Sequence, residues 1–416
     1  MADDATHTLA QRSPPAGDDY LSVEALSMLT AAELTRRTIA LAPLVAGCAA
    51  EAERLRRPVD RVWSALRASG FFYQFVPKRF GGLETDTDSF IDASLPLAEA
   101  CASTAWVATF CAEHNWLLAH FPEETQAALW GGDFPYIIAP AVTAPPGIAT
   151  PTDGGFMVSG NWKWGTGVMH ADWIIASALV ASPDGPPKAM MVLFPATDAT
   201  VIDTWHVDGM AGTGSNDIQA KNIFVPTART VPTAPIRSGR GPGSRGYDNP
   251  VYSAPMLPFL AMTAAIPALG AARATVAAFR ERLGAHVRMG NESSQAHRPT
   301  AQIRLATAEL MVNAAELLIR DAGRRNVALG SVEEPAQTPM RIAVRAQIAF
   351  AVKQCRDAAL HLAEGAGSGV HMLDHPFQRA VRDINVVASH VAFDVDTAFE
   401  LHGRALIGLP PNSILT

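Results

Sequence analysis

Midway along this chain of 416 residues the hydrophobic pattern changes period twice, and that change limits the folds open to it. From Ser22 to about Trp130, Ala- and Leu-rich turns alternate with charged ones at helical spacing, as in Thr30–Leu44 and Val59–Ser69. From Pro140 to Pro235 the chain is rich in Pro, Gly, Val, Ile, Trp and Thr. Short runs there, Phe156–Val158, Trp173–Leu179, Met190–Phe194 and Ile218–Val225, read as strands bounded by turns. Helical period returns at Ala254 in the long segments Thr263–Leu283, Thr300–Val327, Pro339–Glu364 and Pro376–Leu406, enough helices for a bundle. The expected molecule is mostly α with a small β domain. Its parts are a helical N-terminal domain over residues 20–138, a central β domain over 139–236 and a C-terminal bundle over 250–416. Residues 1 to about 20, polar and Pro-containing, read as a loose tail.

Composition narrows the function classes. Hydrophobic residues are 48% and charged residues 18%, which suits a globular core. The net charge of -7, with no basic stripe, argues against a nucleic-acid partner. Cys48, Cys101, Cys111 and Cys355 show no CxxC spacing and read as reduced, buried thiols of a cytoplasmic protein. The opening MADDATHT lacks the apolar core of a secretory signal. The most apolar stretch, Met256 to Phe279, carries Pro258, Pro267 and Arg273, and reads as a buried helix pair, not a membrane span.

Several local patterns bear on chemistry. A literal GxGxxG occurs at Gly241, Gly243 and Gly246, but no strand leads into it, so a flexible loop is expected. His371, Asp374 and His375 resemble a metal cluster; Pro376 follows directly, and Asp374 is expected to cap a helix there. No paired Glu-x-x-His motif, GxSxG elbow or Walker loop occurs, and no metal is expected. Glycines 212 and 214 would let backbone N–H groups approach a ligand, or simply form a hairpin turn. His390 falls at helical spacing with Val386, Phe393 and Thr397, and Asp394 lies one turn on, placed to orient it or to form a surface pair. Its imidazole is a candidate for proton exchange near neutral pH.

Three segments carry a family resemblance: CASTAWVATFCAEHNWLLAHF (Cys101–Phe121), FMVSGNWKWGTGVMHADW (Phe156–Trp173) with WHVDGMAGTGSNDIQAKNIFVP (Trp205–Pro226), and the final helical stretch Asp374–Arg404. Over about residues 40–416 the chain resembles the oxygenase components of two-component flavin monooxygenases, which share the acyl-CoA dehydrogenase fold. The resemblance implies a helical N-domain, a central β barrel and a C-terminal four-helix bundle in a homotetramer. The catalytic Glu of the dehydrogenases would fall near His390 and Val391, where no carboxylate stands. By the same resemblance Thr166, in the run Trp164-Gly165-Thr166, would meet flavin N5. Gly214 and Ser215 would lie along the flavin, and Arg382 and Arg288 would reach it. His114 and His390 would act on a substrate walled by Trp106, Trp116 and Phe393. The dehydrogenase Arg-x-x-Phe-Gly pattern is absent around Arg288, which leaves reduced FMN or FAD as the cofactor. A separate NAD(P)H-dependent reductase would deliver it. Reaction with O2 would give a C4a-hydroperoxyflavin that hydroxylates an aromatic, phenolic substrate. N- or S-oxygenation, or a dehydrogenase-like oxidation, are the alternatives.

Overall fold

The computed structural model describes residues 21–132, 134–182, 185–285 and 295–413. Six helices come first: α1 (Val23–Ser27), α2 (Ala31–Leu55), α3 (Asp60–Ser69), α4 (Thr87–Ala100), α5 (Ala102–Leu118) and α6 (Glu123–Trp130). Seven strands follow: β1 (Ala141–Thr152), β2 (Gly155–Trp162), β3 (Trp173–Ser182), β4 (Gly185–Pro195), β5 (Thr200–Ile202), β6 (Asp217–Pro226) and β7 (Thr230–Pro232). A second helical run completes the chain: α7 (Thr233–Arg237), α8 (Met256–Ala285), α9 (Pro299–Ala328), α10 (Gln337–Ala366), α11 (Pro376–Ala388) and α12 (Val395–Leu406). The expected loose tail lies outside the described residues.

Local chemistry sets the ends of these elements. Thr30 caps α2 by accepting the Glu33 N–H at 3.2 Å, and Asp86 caps α4 by accepting that of Ser89 at 2.9 Å. Helix α8 is apolar on nearly every face, as a buried helix must be. It is a single helix with Pro267 inside it, where the sequence suggested a pair. Its stretch Met256–Gly284 has the length and composition to cross a membrane, but 83% of its most apolar window is buried within the protein.

The strands form one sheet in the order β5-β6-β2-β1-β3-β4-β7. β1 runs parallel to β3, and the other neighbours are antiparallel. Among the described residues no pairing of β5 with β7 closes it into the expected barrel. Its own core gathers Val142, Val158, Trp162, Ile174, Phe194 and Ile218.

The two helical runs are not separate bodies. Residues of α2 to α5 and of α8 to α11 share one hydrophobic core, in which Phe75 packs edge-on against Phe259 at 5.2 Å and Trp116 stacks on the same ring at 4.5 Å. Helices α8, α9 and α10 pack on one another, with α11 against α8 and α12 against α10. The place of a fourth bundle helix is thus taken by two. The apolar spacing through Asp374–Arg404 suggested one helix, but α11 ends at Ala388 and α12 begins at Val395, with a 3-10 turn (Val391–Phe393) between them. Side-chain caps explain the break. The His390 Nδ1 accepts the Ala392 N–H at 3.3 Å, and Asp394 accepts those of Asp396 and Thr397 at 3.1 and 3.3 Å.

Two further expectations are revised. The first part of the Gly241–Gly246 stretch is packed, not free: a Cβ on Gly241 would lie 2.3 Å from His120 Nδ1, and one on Gly243 would overlap the Phe121 carbonyl, while Gly246 faces open space. At the entry of α11 the cap is His375, whose Nδ1 accepts the Phe377 N–H at 3.1 Å, in place of Asp374.

Candidate active site

A cavity of about 780 Å³ opens where α5, the start of β1, the turn after β2, the loop before β6 and the α11–α12 break meet. That volume lies in the range of small-molecule sites, ~300–1,000 Å³. From α5 come Trp106 and Phe110, one turn apart and stacked at 4.5 Å.

The turn after β2 presses against the loop before β6. The Gly165 N–H donates to the Asn216 carbonyl at 2.8 Å, and a Cβ on Gly165 would lie 2.5 Å from Ile218 Cδ1, so a side chain there would have to displace the end of Ile218. Gly214 sits at φ +59 with its Cα against the Arg56 carbonyl, which a Cβ would meet at 2.5 Å. This packing aligns three hydroxyls. Thr166 Oγ1 lies 2.8 Å from Ser215 Oγ, and Ser215 Oγ lies 2.9 Å from Thr213 Oγ1. The Trp106 indole N–H donates to Thr166 Oγ1 at 3.2 Å. All four side chains are buried, and all four reach the cavity wall. Beside them Trp164 is 59% exposed on the rim, at φ +64. A bulky residue in the left-handed region carries backbone strain, which concentrates at functional positions.

His390 stands across Trp106, ring centroids 5.5 Å apart and edge-to-face, with Phe393 at 6.0 Å. Burial, and after it the nearby Arg345 cation, push its pKa down to about 4, so the ring is neutral at neutral pH. Since Nδ1 accepts the Ala392 N–H, the remaining hydrogen is assigned to Nε2. The one carboxylate on the described cavity wall is Asp394, and its oxygens are engaged by the Asp396 and Thr397 N–H groups and the Thr397 hydroxyl. It does not orient His390. Val391 lies at the wall with no acidic group. The site therefore offers hydroxyls, an indole and a neutral imidazole, but no free base of carboxylate type.

Comparison with known proteins fits this geometry. Residues 262–395 match the family model described as acyl-CoA dehydrogenase, C-terminal domain. The chain is 33% identical to the oxygenase component of an FADH2-dependent resorcinol hydroxylase from Rhizobium sp. (strain MTP-10005), over 91% of this chain and 95% of that one. The solved 3-HSA hydroxylase from Rhodococcus sp. RHA1 superposes with a TM-score of 0.86 at 31% identity, covering 92% of this chain and 99% of that one. This chain belongs to the oxygenase components of the two-component flavin-dependent monooxygenases. XiaF from Streptomyces sp., solved with FADH2 and glycerol, matches at 30% identity and a TM-score of 0.86, over 92% of this chain and 97% of that one.

In this oxygenase not every residue singled out from sequence reaches the cavity. Thr166, Trp164, Ser215, Trp106, His390 and Phe393 all line it. His114 lies one turn beyond Phe110 and off the wall, its Nδ1 2.5 Å from the Ala139 carbonyl. Burial lowers its pKa to about 4. With Asn115, which accepts the Ile137 N–H at 3.0 Å, it ties α5 to the segment entering β1. Trp116 is buried elsewhere, donating its N–H to the Val251 carbonyl at 2.7 Å. Arg382 also lies off the wall; it bonds the Asp208 carbonyl and pairs with Glu53 at 2.6 Å. Its neighbour Asp383, buried, accepts the Met210 N–H at 2.5 Å. The pair thereby clamps the hydroxyl-bearing loop to α11, the helix that leads to His390. Arg288 lies outside the described residues.

Sequence reasoning passed over Lys163, Lys353 and Arg356, which bring cations to the wall, and Phe110. Lys353 and Arg356 both pair with Asp357, so in sequence they look like an ordinary solvated helix face. Phe110 was detectable: it stands four residues from both Trp106 and His114 in a quoted motif.

Proposed function

We propose that this oxygenase takes reduced flavin from a separate NAD(P)H-dependent reductase and uses it with O2 to hydroxylate an aromatic, phenolic substrate. The observation that carries the reading is the buried hydroxyl of Thr166, held by the Trp106 N–H on the wall of a largely apolar cavity, with His390 edge-to-face against the same indole. The donor set fits a flavin. Trp164 offers a planar face at the rim, and Thr166 offers one hydroxyl at the depth where the N5 edge of the ring would lie. Either reduced FMN or FADH2 would present such an edge, and Ser215, in the loop that Gly214 holds against Arg56, would flank the same ring. When bound, reduced flavin supplies the electrons and the activated oxygen.

The residues supply the rest. Trp106, Phe110 and Phe393 surround the reacting ring and keep water out, which limits loss of the oxygen as hydrogen peroxide. His390, neutral and with hydrogen on Nε2, is suited to donate to the oxygen of a substrate that enters already ionised as phenolate, its proton left in solvent, holding the ring in its electron-rich form. That role replaces simple proton removal by the imidazole. His114 and Trp116 act behind the wall, by fixing α5. Cytoplasmic placement is favoured by four free, buried cysteines. Assembly as a homotetramer is favoured by an apolar row on α9: Ile303, Leu310 and Leu317, seven residues apart and 65–70% exposed.

The test supplies enzyme with reduced FMN or FADH2, ¹⁸O₂ and a panel of phenols. One ¹⁸O atom in a hydroxylated product is expected. Consumption of all the oxygen as hydrogen peroxide, with every phenol including resorcinol, would contradict it.

A further inference from the structure

We propose that the hydroxyl chain Thr213–Ser215–Thr166 sets the preference of the site between reduced and oxidised flavin, through the direction in which its hydrogen bonds run. This rests on the reading that Thr166 meets the N5 edge of the flavin. Each link is short: 2.9 Å from Thr213 to Ser215 and 2.8 Å from Ser215 to Thr166, and in both either oxygen can be the donor. The indole of Trp106 is different. It is a donor only, so one lone pair of Thr166 is always filled.

Two arrangements follow. In the first, Thr166 donates to Ser215 and Ser215 to Thr213. Thr166 then has one lone pair left and presents an acceptor to the cavity. In the second, Thr213 donates to Ser215 and Ser215 to Thr166. Both lone pairs of Thr166 are then filled, and its hydrogen points to the cavity as a donor. Reduced flavin carries a hydrogen on N5 and needs the acceptor. Oxidised flavin has a bare N5 lone pair and accepts the donor. Three hydroxyl rotations convert one arrangement to the other, with no proton changing atoms.

The far end of the chain therefore controls the near end. All three hydroxyls are buried, with Thr213 1% and Ser215 2% exposed, so water does not substitute freely for a missing link. Thr213→Val removes the acceptor on which the first arrangement ends. Ser215 must then turn its hydrogen to Thr166, which is left as a donor. Ser215→Ala has the same sense, because the Thr166 hydrogen loses its partner in the protein.

The experiment is anaerobic titration of the purified full chain with reduced and with oxidised FMN and FAD, followed by tryptophan fluorescence. The ratio of the two dissociation constants is the readout. Thr213→Val and Ser215→Ala are each expected to move that ratio toward oxidised flavin by roughly tenfold, the effect of one buried hydroxyl left without a partner. Thr213→Ser is expected to restore it. Both affinities falling together, or a ratio unchanged in the two variants, would overturn the proposal and leave the chain as packing only. Failure of the unaltered protein to bind flavin in either state would remove the flavin reading itself, and the proposal with it.

Discussion

Thr166 and His390 are separated by 224 positions in sequence and joined in space by a single indole. Substitution at each has a distinct expected result. Thr166→Val keeps the shape and removes the acceptor of the buried Trp106 N–H. A loss of about 1–3 kcal/mol in unfolding free energy is expected, with more hydrogen peroxide per flavin oxidised. Denaturant titration and peroxide assay check both; an unchanged stability would show that the indole finds another partner. His390→Ala is expected to leave flavin affinity intact and lower hydroxylated product, with peroxide rising to match. Undiminished product would remove His390 from the chemistry. At this scale the motifs that pair glycine with hydroxyl residues, Trp164–Thr166 and Gly212–Ser215, put side chains on the cavity wall. The family resemblance put Arg382 at the flavin, whereas it lies off the cavity wall. Its actual partners, the Asp208 carbonyl and Glu53, come from distant parts of the chain.

Among the elements, the loop between β5 and β6 has the most exacting position. It must meet the β2 turn on one side and α11 on the other. A Cβ on Gly209 would lie 2.4 Å from the Arg382 carbonyl oxygen, and backbone there cannot yield as a side-chain tip can. Gly209→Ala is therefore expected to lift the loop from α11 and weaken flavin binding by more than tenfold, with far-ultraviolet circular dichroism preserved. Wild-type affinity in that variant would mean that the clamp is dispensable. The helices and most strands were legible from periodicity. The break between α11 and α12 was not, because apolar spacing continues through it and the interruption comes from the caps at His390 and Asp394. Helical spacing counted across such a break groups His390 with Thr397, which instead bonds Asp394.

In the whole molecule, the sequence order helix, strand, helix suggested three domains, whereas burial joins the two helical runs into one core. Pairings such as Phe75 with Phe259 are set by tertiary packing and leave no local signature. That core also contains histidines that resist protonation. Burial lowers the pKa of His114 and His170 to about 4 and that of His120 to about 3. An unfolded histidine titrates near 6.5, so below that pH the unfolded chain binds protons that the folded one does not. The histidines' contribution to stability is then complete above about pH 6.5 and falls as pH drops toward 4, by at most about 1.4 kcal/mol per pH unit for each histidine. Denaturant midpoints at pH 7.5, 6 and 5 measure the slope. His120→Leu, which removes two buried nitrogens without partners, is expected to make it shallower. An equal slope would assign the acid sensitivity elsewhere. The apolar row on α9 gives a separate test of assembly: Leu310→Glu is expected to shift sedimentation toward smaller species, and an unaltered profile would place the subunit contact on another face.

The most direct test is a crystal structure of the protein with reduced flavin bound under anaerobic conditions. The expected result places the N5 edge of the ring within about 3.2 Å of Thr166 Oγ1, with His390 and Phe393 facing the same pocket and space for an aromatic ring between them. A flavin bound away from Thr166, or with His390 on the far side of the protein wall, would contradict the placement of the reaction at this cavity.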